Sequence, residues 1–225
     1  MVFDELEIRS KEDLEAAVDQ LGFVPYFANE IEGFSLEEHI LPKYWFGVID
    51  GAWEWKGSII RDTGCAYGKF FRNKAVYVSR EWFCDFANFR RDGYDFDARY
   101  EDGLARHTDK VLYELVQGNE PVISKQLKRL GDYRKGGNKG FESAMTRLQH
   151  MCYVNISDFV YMTDRQGRQY GWGVAQYSTP EGFFGSDFTE RVYQRTPQES
   201  YERIFTHLRT ILPDADEKLI HKLLK

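Results

Sequence analysis

"GFESAMTRLQHMCYVNISDFVYMTDRQGRQYGWGVAQY", residues 140–177, sets one amphipathic helix in front of two strand-like runs, and that order decides the fold. Phe141, Ala144, Met145, Leu148 and Cys152 recur at i, i+3, i+4, i+7 and i+11, the spacing of a helix buried along one face. YVNISDFVYM (153–162) and QYGWGVAQY (169–177), joined by TDRQGR, read as a β-hairpin. Upstream, SKQLKRLG (124–131) starts at Ser124, buries Leu127 and Leu130 and stops at Gly131. DKVLYELVQ (109–117) places Val111, Leu112, Leu115 and Val116 on one helical face. Three helices followed by a hairpin is the order of a winged helix-turn-helix.

In that arrangement the third helix shows Lys139, Ser143, Thr146, Arg147 and His150 opposite its apolar stripe. The loop before it adds Arg134 and Lys135, and the hairpin tip adds Arg165 and Arg168, so that phosphates can be met on both sides of the helix. Pro121 to His150 carries seven Lys or Arg and two Asp or Glu, net +5, inside a chain whose net charge is -6. Phosphate contact needs only such a local patch, because salt screens charges beyond about 8–10 Å. The bland alternative is a solvated face of an ordinary helical module that binds protein.

The remaining segments frame this module. SKEDLEAAVDQL (10–21) is a helix capped by Ser10 with Leu14, Ala17, Val18 and Leu21 inward. Residues 22–52, broken by Gly33, Pro42 and Gly51, read as loops around a short helix near Leu36. CAYGKFF and AVYVSR around RNK form a second hairpin, after which Ser79 caps REWFCDFANFRR, with Trp82, Phe83, Phe86 and Phe89 on one face. RRDGYDFDARYEDG (90–103) reads as a charged connector. Near the C-terminus, Thr196 and Pro197 open a helix with the stripe Tyr201, Ile204, Phe205, Leu208 and Leu212. Pro213 ends it, and a last helix carries Leu219, Ile220, Leu223 and Leu224. The expected class is α+β: an N-terminal part over 1–104 with a degenerate winged helix, a winged-helix module over 105–180, and C-terminal packing helices over 181–225.

Composition bounds the function. With 225 residues, 42% hydrophobic and 29% charged, the chain has enough apolar surface for a core. No run approaches the roughly 18 apolar residues of a membrane span, and MVFDELEIRS is acidic where a signal peptide is basic, so a cytoplasmic location is expected. Cys65, Cys84 and Cys152 lack CxxC spacing and the five histidines lack ligand spacing, so no metal is expected. GDYRKGG lacks the Lys-Ser/Thr ending of a phosphate-binding loop, and no cofactor is expected. The acids Asp92, Asp95, Asp97, Glu101 and Asp102 lack the spacing of a calcium loop.

WEWKGSIIRDTGCAYGKFF (53–71) is the candidate for chemistry. Glu54, Lys56, Arg61, Asp62 and Lys69 supply acid, base and anion-binding types, while Trp53, Trp55 and Tyr67 can stack on a planar ligand. Glu54 is the candidate catalytic carboxylate. The competing reading is a half-buried strand, with Trp53 and Trp55 on one face and Glu54 and Lys56 on the other.

LYELVQGNEPVISKQLKRLG (112–131) and GFESAMTRLQHMCYVNISD (140–158) together resemble the winged-helix segment of bacterial crosslink-repair DNA glycosylases of the AlkZ type, in their divergent AlkZ-related branch. LGFVPYF (21–27) resembles the leucine-glycine start of that family's catalytic loop, and WEW (53–55) its Glu-aromatic stretch. The resemblance implies tandem winged-helix units that cup duplex DNA, and hydrolysis of the bond between a damaged base and its sugar. In the family a Gln and, two residues on, an Asp or Gln hold the water. Pro25 and Phe27 stand at those positions here, and Gly57 and Ser58 stand where a histidine often follows. The implied protein is therefore a duplex-DNA binder lacking the standard catalytic pair. The alternatives are an active glycosylase using Glu54, or a non-enzymatic protein-binding scaffold or small-molecule sensor.

Overall fold

A computed structural model describes residues 2–45 and 50–225, with Gln169 and Tyr170 described by their backbone only. The part of the 22–52 reading that falls on 46–49 lies outside the described residues. The chain is α+β and contains one six-stranded antiparallel sheet.

The first half runs α1 (Lys11–Leu21), β1 (Phe23–Pro25), α2 (Leu36–His39), α3 (Ala52–Thr63), β2 (Ala66–Phe71) and β3 (Lys74–Val78). Ser10 starts α1 with the expected capping box: its Oγ accepts from Asp13 N at 3.2 Å, and Asp13 Oδ2 accepts from Ser10 N at 3.0 Å. Gly22 ends it at φ 75°. No larger residue fits there, because a Cβ would stand 2.4 Å from the Trp82 ring.

Residues 53–56 are not a strand. Ala52, Trp55, Lys56, Ile59 and Ile60 are buried at i, i+3, i+4, i+7 and i+8, so the helical period over twelve residues overrides an alternation visible over four.

After α4 (Arg80–Arg91) and α5 (Phe96–Glu101), the second half repeats the order. It runs α6 (His107–Gln117), β4 (Val122–Ile123), α7 (Ser124–Leu130), α8 (Phe141–His150), β5 (Asn155–Thr163) and β6 (Gln169–Ser178). In both halves the short strand pairs with the last strand of the hairpin: Val24 faces Tyr77, and Val122 faces Tyr177. The two hairpins meet through their first strands at Tyr67 and Ile156. The resulting order, β1-β3-β2-β5-β6-β4, is the same pattern read from either edge. Across the seam, α3 packs on β5 and α8 packs on β2. Leu127 is buried as expected, whereas Leu130 is 47% exposed, because α7 is only two turns long and ends beside it.

The C-terminal segment adds α9 (Pro180–Phe184), α10 (Ser186–Arg191), α11 (Pro197–Ile211) and α12 (Glu217–Leu224). Thr196 and Pro197 open α11 as expected, and α11 lies along α4. Between them, buried Asp85 accepts from Ser200 Oγ at 2.9 Å and Arg203 Nε at 3.0 Å.

Arg90 and Arg91, expected in a solvated connector, end α4 inside the protein at 6% and 1% exposure. Arg91 donates to Glu181 Oε1 at 2.7 Å, Cys152 O at 2.8 Å and Tyr193 Oη at 3.1 Å. Acceptors replace the hydration of Arg91, whereas Arg90 donates to Phe70 O at 3.0 Å and keeps an Nε without an acceptor among the described residues. Among the described residues no helix is long and apolar enough to cross a membrane.

Candidate functional site

Helix α3 starts at Gly51, whose N–H donates to Glu54 Oε2 at 3.2 Å. An acid in the first turn suits the positive end of a helix, so Glu54 holds the start of the element while remaining half-exposed. Three residues on, α3 comes so close to β5 that a Cβ at Gly57 would stand 2.7 Å from Asp158 Oδ1 and 3.4 Å from Phe159 N. Arg61 and Asp158 form an ion pair across the same contact. The missing side chain at residue 57 thus brings Lys56 against the second half of the sheet.

Lys56 is 7% exposed. Its Nζ lies 3.4 Å from the centroid of the Trp53 ring, 4.6 Å from that of Phe159 and 5.9 Å from that of Tyr26. Among the described residues these ring faces, rather than a hydrogen bond or ion pair, surround it. Burial pushes its pKa down to about 8, with the nearby Glu54 carboxylate opposing the shift. Tyr26, fully buried, closes the other side and has no partner for its hydroxyl among the described residues. Its ring stands 5.0 Å from Trp45, 6.1 Å from Trp53 and 6.4 Å from Tyr67. Burial raises the pKa of this phenol far above its ordinary value, so it stays protonated. At the rim, Trp172 of β6 meets Trp53 edge-on at 6.0 Å and is 65% exposed.

Of the residues singled out in 53–71, the fold gathers Trp53, Lys56 and Tyr67 around Tyr26, with Glu54 beside them. Trp55, in the same buried stripe of α3, has Tyr44 6.5 Å away. Arg61 is held by Asp158, Asp62 by Lys11 at 2.6 Å, and Lys69 lies half-buried on β2. Pro25 sits in β1 opposite Val76, and Phe27 packs on Tyr26 and Trp45. Neither side chain holds or activates water.

Tyr26, Phe159 and Trp172 were not singled out from the sequence. Tyr26 lies between Pro25 and Phe27 in LGFVPYF, and Trp172 stands between two glycines within a strand. Gly173 is needed there, since a Cβ would come within 3.3 Å of Phe159 and Tyr161.

The basic residues divide into two groups. Arg134, Lys135 and Lys139 are exposed between α7 and α8, Ser143 is exposed at the start of α8, and Arg165 and Arg168 are exposed at the hairpin tip. Arg134 has Asp132 beside it, and Arg168 Nε donates to Asp164 Oδ2 at 3.0 Å. Arg147 turns inward, donating from Nε to Asp109 Oδ2 at 3.0 Å and tying α8 to α6. His150 is half-buried against Arg90 at 3.1 Å, and burial plus that cation pushes its pKa down to about 4. At neutral pH it adds no charge to the patch.

The chain thus has a doubled helix–strand–helix–helix–hairpin order with an aromatic site at the seam. Residues 8–225 match the AlkZ-related family, so the chain belongs to that family and is related to DNA glycosylases. No curated protein and no solved structure matches the chain.

Proposed function

We propose that both halves of the sheet are winged-helix units and that the protein binds duplex DNA through the cations of residues 134–168, without the family's water-holding pair. The observation that carries this reading is the second half: Lys139 and Ser143 lie exposed at the start of α8, flanked by loop and hairpin-tip cations, over a strand order in which β4 closes on β6. Helix start, loop and hairpin tip are the places from which such a fold meets a phosphate backbone. In this reading 105–180 is the binding module, 1–104 a second, modified unit, and 181–225 the packing helices. The test is binding to a fluorescent duplex across a salt series, with Lys139, Arg165 and Arg168 changed to Ala together. Each lost phosphate contact lowers the salt slope by about 0.9, so the triple variant loses about 2–3 units of slope and tenfold or more in affinity. Salt-sensitive binding that this variant leaves intact sinks the assignment. No binding at low salt moves the search to protein or small-molecule partners.

A second reading, base excision with Glu54 as the carboxylate, draws on the half-exposed position of Glu54 beside the Lys56 cage. A Glu54→Gln protein that retains full excision activity removes it.

A further inference from the structure

We propose that the Lys56 amine is a nucleophile that condenses with an aldehyde, the ring-opened C1′ aldehyde of an abasic deoxyribose, at the seam between the two halves. The inference deepens the DNA-binding reading and rests on it.

The starting observation is a lysine in the wrong place. Lys56 is 7% exposed in the middle of a helix, and its Nζ lies over three aromatic rings rather than beside a carboxylate or carbonyl among the described residues. Ring faces hold an ammonium weakly compared with the water it has lost. A methionine fills the same volume without that cost, so packing does not account for a lysine here. The Tyr26 hydroxyl, also buried and unpartnered, belongs to the same cage. A buried hydroxyl without a partner and a lysine held by ring faces, side by side in apolar surroundings, point to a ligand that brings polar atoms of its own.

The chemistry of the cage narrows that ligand. A lysine desolvated by apolar walls is partly neutral near physiological pH, which is the nucleophilic form that makes Schiff bases with carbonyls. The Nζ lone pair adds to C1′ and the carbonyl electrons move to oxygen, giving a carbinolamine. That oxygen then leaves as water with the two hydrogens of the amine, and a C1′=Nζ double bond remains. No oxidant or reductant is needed, and walls that exclude water favour the condensation. Trp172, 65% exposed at the rim, adds ring surface beside which a base flanking the missing one can lie.

The experiment incubates the protein with a labelled duplex carrying one abasic site and sodium cyanoborohydride, which reduces the imine to a stable amine, and resolves the adduct on a denaturing gel. Binding of an intact duplex is measured in parallel. The wild-type protein is expected to crosslink, and Lys56→Met and Lys56→Arg to lose at least tenfold in adduct while binding the intact duplex within about twofold of wild type. Duplex binding without an adduct, or an undiminished adduct in Lys56→Met, overturns the inference and leaves the DNA reading standing. Absence of binding to either duplex overturns both.

Discussion

The two helices that cross the seam make the same contact with opposite polar outcomes. On one side α8 lies on β2, and buried Gln149 accepts from Lys69 N at 3.1 Å and donates to Met145 O at 3.3 Å. On the other, α3 lies on β5, and buried Lys56 lies against the rings of Trp53 and Phe159 with no hydrogen bond among the described residues. The topology is shared, so the difference belongs to the side chains: one seam is satisfied and built for stability, the other holds a desolvated cation at a cost. A second buried cation sharpens the point, because Arg91 at 1% exposure has a full set of acceptors.

The largest expected effect comes from breaking the satisfied cation. Arg91→Met leaves Cys152 O and Glu181 without their donor and lowers stability by about 3–5 kcal/mol in denaturant unfolding. Lys56→Met goes the other way, raising stability by about 1–3 kcal/mol at pH 7, since it removes an unpaired buried charge. The sign follows from linkage. The folded-state pKa of Lys56, about 8, lies below the ordinary lysine value of 10.5, so between those pH values the unfolded chain binds more protons and wild-type stability rises with pH. The advantage of Lys56→Met over wild type therefore shrinks between pH 8 and pH 10; a constant difference contradicts the assigned environment. Gln149→Ala is smaller, about 1–2 kcal/mol destabilising, because it strands the N–H of Lys69. Arg147→Ala is smaller still, about 1 kcal/mol, with duplex affinity nearly unchanged, because its half-exposed guanidinium is already engaged by Asp109.

Local periodicity carried much of this fold. The stripes of α1, α6, α8 and α11 and both hairpins follow from apolar spacing and turn residues that lie within a few positions of one another. The doubling of the unit is implied by the family resemblance and not by local periodicity, because it depends on β1 closing on β3 and β4 on β6 across more than fifty residues. WEWK was too short to separate strand from helix, and Ile59 and Ile60 decide for the helix. Arg90 and Arg91 looked like solvated charges because nothing local reveals that Cys152, Glu181 and Phe70 supply their acceptors. Lys56 stands among the candidate residues of 53–71, yet its aromatic surroundings do not show in the sequence, since Phe159 comes from the other half of the chain.

The most direct test of the account compares the affinity of the wild-type protein for an intact duplex and for one carrying a tetrahydrofuran abasic analogue, at one moderate salt concentration. Exposed cations on one half and an aromatic enclosure at the seam predict salt-sensitive binding to both duplexes, with at least fivefold preference for the analogue. Equal affinity for the two, or binding to neither, contradicts it.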